Sequence, residues 1–170
     1  MKIELKVLNK EFYEDNLLPE YATAGSAAID LVATQDYAIE PGGVVEIKTG
    51  LAIWINSGQK EAREQFAMVD RKTWYNELWS VAALILPRSG RGAKEGLVIA
   101  NTVGLIDSDY QGELVVYAMN RTEQNTIHIK VGERFAQMTF VPIIKAQFAV
   151  VKEFSSESGR GDGGFGSTGE

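Results

Sequence analysis

The chain has 170 residues, of which 45% are hydrophobic and 24% are charged, and it contains no cysteine. This length suits one domain of about 100–200 residues, which folds without a metal or disulfide staple. The lack of cysteine excludes disulfides, zinc–thiolate sites and cysteine nucleophiles, and the single histidine excludes multi-histidine metal sites. A net charge of −6 argues against a broad basic face for duplex nucleic acid, although a local cluster can still bind a small anion.

The first seven residues alternate between apolar and charged side chains, which is typical of a strand and unlike the apolar core of a signal peptide. No stretch approaches the ~18 apolar residues that a membrane span requires. We therefore expect a protein without membrane contact. Together with the lack of cysteine, this favours the cytoplasm.

Short alternating apolar runs follow one another along the chain. They fall at residues 3–7, 45–55, 114–119, 127–131 and 148–151. Turn sequences rich in Gly, Pro, Asn and Asp separate them, at 41–43, 56–58, 109–112 and 120–124. Without amphipathic helices between them, such strands predict an all-β fold, an antiparallel sandwich or barrel with little helix.

Two segments depart from this pattern. Residues 58–80 are charged and aromatic, and we expect a short helix followed by a hairpin there. The last twelve residues, 159–170, contain six glycines, a density that forms neither strand nor helix. The predicted organisation is one β domain over 1–158, with 58–80 as an inserted segment, and a glycine-rich end over 159–170.

Candidate catalytic and binding residues are most concentrated between residues 87 and 113. The sequence Pro87-Arg88-Ser89-Gly90 combines a guanidinium fork that suits phosphate oxygens with a glycine that lets backbone N–H groups approach an anion, and Arg91 and Lys94 add positive charge nearby. Carboxylates flank an aromatic ring at 107–113. Each piece alone is also compatible with an ordinary turn or strand edge.

Together and in this order, five motifs resemble those of the homotrimeric dUTPase family. They are residues 24–31 (AGSAAIDL), 87–90 (PRSG), 104–112 (GLIDSDYQG), 132–137 (GERFAQ) and 160–169 (RGDGGFGSTG). The resemblance covers nearly the whole chain except 58–80. It implies a jelly-roll-like (β-clip) fold and a homotrimer. Each active site then takes the phosphate motifs from one subunit, the uracil hairpin from a second and the tail from a third.

The implied reaction is hydrolysis of dUTP to dUMP and pyrophosphate by attack of water on the α-phosphorus. This reaction keeps uracil out of DNA and supplies dUMP for dTMP synthesis. Asp107 matches the family's general base, and Tyr110 matches the ring that packs on the deoxyribose and rejects a 2′-hydroxyl. The residues that match the uracil pocket are Asn101, Gly104, Leu105 and Ile106.

The resemblance also implies a grip on the phosphates. Arg88, Ser89 and Gly90 match the cradle for the α- and β-phosphates, and Gln137 matches a contact to the phosphate chain. Arg134 either serves the site or buttresses it. Mg²⁺ is the implied cofactor, held mainly by the substrate phosphates and water. Asp30 lies near that water shell in this interpretation, or it supports the Ser89 turn.

The tail resembles a lid that closes over bound nucleotide. Phe165 matches the ring that stacks on uracil, and Arg160 matches a group that approaches the phosphates. Gly166, Ser167 and Thr168 match contacts to the γ-phosphate. Closure of such a lid excludes water at the entropic cost of ordering a flexible segment.

The chain departs from the family pattern between residues 50 and 90, where it is longer by roughly twenty residues. The fold should tolerate this addition, because the entropic cost of closing a surface loop grows only slowly with its length. The aromatic residues of 58–80 favour a protein-binding surface, as in phage-encoded members that also signal through repressor proteins. This predicts a repressor-like partner bound through 58–80, and the host cytoplasm as location if the chain is phage-encoded. The alternative is that Phe66, Trp74 and Trp79 pack on the jelly roll.

Three other functions compete with dUTP hydrolysis, and the last of them, a generic jelly-roll carbohydrate or protein binder, explains none of the five motifs. A dCTP deaminase of the same superfamily lacks the arrangement seen at 107–112. A regulatory protein-binding module, with nucleotide acting as a switch, remains the alternative function. A P-loop NTPase is excluded because the sequence contains no GxxxxGK[ST] motif.

Overall fold

The structure is a computed structural model that describes residues 2–16, 18–55 and 79–164. Its strands are β1 (Glu4–Val7), β2 (Ile29–Val32), β3 (Tyr37–Ile39), β4 (Val44–Trp54), β5 (Trp79–Pro87), β6 (Leu97–Ile99), β7 (Gly104–Ile106), β8 (Glu113–Asn120), β9 (Ile127–Ile129) and β10 (Arg134–Ile144). Helical structure in these ranges consists of α1 (Lys10–Asp15) and a π-helical turn (Arg91–Glu95), which residues 89–90 precede in helical conformation.

The strands form two four-stranded sheets and one short ribbon. One sheet has the order β1-β4-β8-β6, the other β2-β10-β5-β7, and β3 pairs with β9. Every pairing between the described strands is antiparallel. The predicted all-β architecture with little helix is confirmed. In the described part of the chain, no helix has the length and apolar character needed to span a membrane.

The core lies between the two large sheets and follows from the alternation along each strand. In β8, Leu114, Val116 and Ala118 are buried, whereas the residues between them are partly or fully exposed. Successive strand residues point to opposite faces, so this spacing aims one face of β8 at the core. Ile85 and Met138, neighbours across β5 and β10, belong to the same buried cluster.

The predicted strand at 148–151 is not present. Between Ile144 and Gly164 the described chain has no regular structure, and the side chains of Phe148 and Val150 are 96% and 101% exposed. An alternating pattern becomes a strand only where a neighbouring strand accepts its hydrogen bonds, and the described chain offers none at this point. Of the segment 58–80, Trp79 and Ser80 belong to β5; the rest of it lies outside the described residues.

A bulge in β4 fixes the position of Glu113, which lies next to the candidate site. The register between β4 and β8 shifts between Lys48 and Ala52, where Gly50 has a φ of +69°. A Cβ at Gly50 would lie 2.6 Å from the Asn9 Cβ, so only glycine fits this bulge. The Gly50 N–H donates to Glu113 Oε1 at 2.9 Å. The bulge thereby fixes Glu113 at the start of β8, beside the turn at 107–112.

Candidate active site

Three neighbouring strands bring together the residues predicted to bind phosphates. β10 lies between β2 and β5, and Gln137 on β10 is level with Asp30 on β2 and Leu86 on β5. Arg88 follows the end of β5, where its Nε donates to Asp30 Oδ1 at 2.7 Å. Arg134 at the start of β10 places its Nη1 3.6 Å from Asp30 Oδ2. One carboxylate thus holds two guanidinium groups, each with donors left over for an anion.

Gln137 contributes to this cluster by holding the end of β5. Its Nε2 donates to the Pro87 carbonyl oxygen at 2.9 Å, directly before Arg88. In this conformation the amide therefore orients the loop that carries Arg88. The sequence associated Gln137 with the phosphates themselves.

The loop after Pro87 is open to solvent. Ser89 and Gly90 are exposed, and the Gly92 N–H donates to the Arg88 carbonyl oxygen at 2.8 Å. Gly90 has right-handed helical backbone angles, and a Cβ there would meet no atom of the described residues within 4 Å. Neither conformation nor packing against the described part of the chain demands a glycine at this position. The space left free suits the close approach of a ligand.

The predicted uracil pocket lies on the turn between β6 and β7 and on β7 itself. Thr102 has a φ of +65°, an unusual value for a β-branched residue, and its neighbour Asn101 is exposed. Gly104 lies against Ile85, where an added Cβ would be 3.1 Å from the Ile85 Cβ. Leu105 is 61% exposed, and Ile106 is partly buried. The backbone of this turn is therefore constrained while its outer surface remains open.

Asp107 and Tyr110 occupy the turn that follows β7. The Asp107 side chain is exposed, and its carbonyl oxygen accepts the Tyr110 N–H at 3.2 Å. The Tyr110 hydroxyl donates to the Glu113 carbonyl oxygen at 2.9 Å, across Gly112. This contact sets the position of the ring, and Tyr110 as a residue is 43% exposed. The sequence did not single out Glu113 as a support for Tyr110; an acidic residue beside Gly112 was its only signal.

Within one chain, Asp107 lies beside the middle of β5, whereas Arg88 follows the end of that strand. Ile106 is level with Ala83, so Asp107 continues the register near Ala82. Arg88 lies six residues further along the chain, which corresponds to roughly 20 Å at the rise of a strand. A carboxylate that activates water at the α-phosphorus must lie within a few ångströms of the phosphate grip. By this count, the backbones of Asp107 and Arg88 are well separated within one chain.

The glycine-rich tail is described only up to Gly164. Arg160 donates from Nε to the Gly163 carbonyl oxygen at 2.8 Å and from Nη2 to the Gly164 carbonyl oxygen at 3.4 Å. The other predicted lid residues, Phe165, Gly166, Ser167 and Thr168, lie outside the described residues.

The described residues do not form a direct ligand set for a metal ion. They include no group of three or more His, Cys, Asp or Glu side chains that could hold one. Both oxygens of Asp30 face guanidinium groups, which compete with a cation for the same carboxylate. Asp30 consequently fits support of the Arg88 loop and not direct metal ligation.

Comparison with known proteins gives the same family as the motifs. The family model for dUTPase matches residues 62–169. The deoxyuridine 5'-triphosphate nucleotidohydrolase of Acinetobacter baylyi is 46% identical over 172 residues, which cover 100% of this chain and 99% of that protein. This chain belongs to the dUTPase family.

Solved phage enzymes share the fold. The Staphylococcus bacteriophage 80alpha dUTPase with dUPNHPP superimposes with a TM-score of 0.75 at 27% identity, over 99% of each chain. A mutant dUTPase from phage phi11 of S. aureus, described with a structural Mg(II) ion, superimposes with a TM-score of 0.70 at 23% identity, over 92% of this chain and 100% of that one. The predicted jelly-roll dUTPase fold is confirmed.

Proposed function

We propose that this dUTPase hydrolyses dUTP to dUMP and pyrophosphate, which removes dUTP from the pool available for DNA synthesis and supplies dUMP. One observation carries the proposal. The Arg88 loop is oriented by Asp30 at 2.7 Å and by Gln137 through the Pro87 carbonyl oxygen at 2.9 Å. Two guanidinium groups fixed on one carboxylate suit adjacent phosphates of a nucleoside triphosphate.

Asp107 serves as the general base in this proposal. Its exposed carboxylate takes a proton from water while the water oxygen bonds to the α-phosphorus. The bond from the α-phosphorus to the bridging oxygen then breaks, and pyrophosphate leaves. Such a positioned base contributes ~10²–10⁴-fold to the rate.

Selection of substrate is assigned to the turn around β7. Tyr110 packs on the deoxyribose, where a 2′-hydroxyl would collide with the ring held by Glu113. Backbone groups between Asn101 and Ile106 bind the edge of uracil. A fixed set of donors and acceptors rejects a mismatched base because buried polar groups are then left unpaired.

Residues of the Arg88 loop and the tail complete the grip. We assign Arg88, Ser89 and Gly90 to the α- and β-phosphates, and Arg134 to the same cluster through Asp30. The tail, with Arg160 and the residues after Gly164, is proposed as a lid over the nucleotide. Enzymes of this family use Mg²⁺. We place the ion on the substrate phosphates and water, where it offsets phosphate charge, and no protein residue is assigned to it directly.

The assembly proposed for this activity is a homotrimer with shared sites. The roughly 20 Å between Asp107 and Arg88 along β5 supports it, because one subunit then supplies the phosphate cluster and another supplies the base. The exposed apolar side chains after β10, Phe148 at 96% and Phe154 at 89%, also favour contact with another subunit. Dilution below the dissociation constant of the trimer should therefore abolish activity.

The first experiment measures release of pyrophosphate from dUTP, dCTP, dTTP and UTP in the presence of Mg²⁺. We expect release from dUTP alone, and a loss on the order of 10²-fold or more in Asp107→Asn, which removes the base with little change in volume. Asp109→Asn in the same turn is the matched control and should retain activity. Release from none of the four nucleotides by the wild type would contradict the proposal.

A repressor-like partner bound through 58–80 stays a prediction. Its support is the aromatic composition of the segment and the likeness to the phage 80alpha dUTPase, which is described as controlling transfer of virulence genes. Residues 58–78 lie outside the described part of the chain.

A further inference from the structure

Arg91 opens the π-helical turn directly after the phosphate loop, and its side chain is only 14% exposed. Its Nε donates to Glu95 Oε2 at 2.9 Å, and its Nη1 donates to Glu133 Oε2 at 3.2 Å. Its Nη2 donates to the His128 carbonyl oxygen at 3.1 Å. Each nitrogen of the guanidinium is thus used inside the chain, and two glutamates offset its charge. Arg91 therefore does not present the free positive charge that the sequence suggested.

Glu133 connects this contact to Arg88, Asp30 and Arg134, which together form the phosphate cluster. Its Oε2 also accepts the Lys130 N–H at 3.0 Å, and its carbonyl oxygen accepts the Ala33 N–H at 3.0 Å. The turn that carries Glu133 is thereby anchored to the end of β2. The next residue is Arg134, whose guanidinium lies 3.6 Å from Asp30.

These contacts form a closed circuit of linked residues, called the ring below, at the base of the loop 87–90. The chain leads from Arg88 to Arg91, the Arg91 side chain binds Glu133, and the chain continues to Arg134. Arg134 faces Asp30, which accepts the Arg88 Nε. Besides the Arg91 contact, Asp30 and the hydrogen bond from Gln137 to the Pro87 carbonyl oxygen link the side of the ring that carries Arg88 to the side that carries Arg134. The Asp30–Arg134 contact is the longest in the ring at 3.6 Å.

We propose that Arg91 is a positioning residue for the phosphate cluster, which sets the separation of the Arg88 and Arg134 guanidinium groups by tying the π-helical turn to Glu133. The proposal rests on dUTP hydrolysis as the proposed function. Binding of the triphosphate depends on this separation, whereas binding of the nucleoside does not, because Arg91 contacts Glu95, Glu133 and His128 and none of the residues assigned to the base and the sugar.

The test compares Arg91→Met with the wild type by steady-state hydrolysis of dUTP and by inhibition with deoxyuridine, which carries no phosphate. Methionine keeps apolar volume but has no donors. We expect the KM for dUTP to rise about tenfold while the inhibition constant of deoxyuridine stays unchanged, because displaced positioning groups cost up to ~10²-fold. Arg91→Lys should give an intermediate KM, since an ammonium cannot span all three acceptors.

Two further variants test whether a change in KM comes from the contact between Arg91 and Glu133. Lys130→Met removes the exposed ion pair with Asp36, 2.9 Å long, from the same turn and should leave the KM unchanged. Glu133→Gln should raise the KM in the same direction as Arg91→Met. The double variant of Arg91 and Glu133 should show much less than the product of the single effects, because both remove one contact.

The outcomes separate the two proposals. If the wild type hydrolyses dUTP and Arg91→Met keeps its KM, Arg91 has no positioning role and the proposed function stands. If the KM for dUTP and the inhibition constant of deoxyuridine rise together, Arg91 acts on the fold as a whole and the inference is again wrong. If the wild type releases no pyrophosphate from dUTP, the proposed function fails and this inference fails with it.

Discussion

The ring of Tyr110 depends on the glycine two residues further along the chain. A Cβ at Gly112 would lie 2.6 Å from the Tyr110 Cζ and 2.9 Å from its Cε2. The backbone of Gly112 therefore passes directly under the ring, and the hydroxyl reaches the Glu113 carbonyl oxygen beyond it. The position of the group assigned to sugar discrimination is set by the lack of a side chain at 112.

Gly112→Ala should weaken discrimination between dUTP and UTP. The new methyl group forces the ring away from the place where it would meet a 2′-hydroxyl. We expect the ratio of kcat/KM for the two nucleotides to fall about tenfold, since steric rejection of one small group is worth on the order of 1–3 kcal/mol. The measurement is kcat/KM for dUTP and for UTP with purified variants.

Tyr110→Phe is the matched control, because it removes only the hydrogen bond to Glu113 and leaves the ring free to stay over Gly112. Its discrimination ratio should lie between those of the wild type and Gly112→Ala. An unchanged ratio in Gly112→Ala would mean that the ring does not contact the sugar.

The bulge of β4 and helix α1 stabilise each other through one tyrosine. The Tyr13 hydroxyl donates to the Thr49 carbonyl oxygen at 2.9 Å, next to Gly50 of the bulge. Burial raises the pKa of Tyr13 to about 12 from 10.0. The folded state therefore keeps the proton more tightly than the unfolded state. The resulting stability is fully present below pH 10 and is lost as pH rises towards 12.

The substitution Tyr13→Phe tests whether Tyr13 makes the stability of the fold depend on pH. At neutral pH the variant should be less stable by about 1 kcal/mol, because one intramolecular hydrogen bond is lost. The difference in free energy of unfolding between wild type and variant should become smaller above pH 10. There the wild type loses the contribution of Tyr13, which the variant lacks at every pH. Urea unfolding at neutral and alkaline pH measures this difference, and a constant difference would contradict the assignment.

Most of the sheet architecture could be predicted because alternation along a strand is a local property. The runs at 114–119 and 127–131 overlap β8 and β9, whose buried residues recur at every second position. The run at 148–151 alternates as well but remains without a strand partner in the described chain, since pairing depends on residues distant in sequence. The spacing of Arg91 and Glu95 is a local signal for a helical turn, but the contact of Arg91 with Glu133, which lies 42 residues further on, could not be predicted from local sequence.

The order and spacing of the motifs predict Arg88, Asp107 and Tyr110 as site residues, and their roles stay predictions. The arrangement of these residues could not be predicted from the sequence. Only the register of β5 with β7 shows that Asp107 lies beside the middle of β5, about six residues from Arg88. The role of Asp30 as the carboxylate between two arginines likewise depends on β2 and β5 flanking β10, a long-range pairing that sequence spacing does not reveal.

The separation of Arg88 from Asp107 can be tested by mixing two inactive variants. In the proposed trimer, a site takes Arg88 from one subunit and Asp107 from a neighbour. Arg88→Ala and Asp107→Asn trimers should each be inactive. After dissociation and random reassembly of an equal mixture, about one site in four combines an intact Arg88 with an intact Asp107 across a C3 interface.

Pyrophosphate release by the reassembled mixture should therefore recover to about a quarter of the wild-type rate, because each intact residue occurs with about even odds at its position in a symmetric ring. Asp107→Asn mixed with a chain carrying both substitutions is the matched control and should stay inactive, since no subunit in it supplies an intact carboxylate. Size-exclusion chromatography must show that every variant still assembles. If assembled mixtures recover no activity, one chain supplies both residues, and the shared site is wrong even if dUTP hydrolysis itself stands.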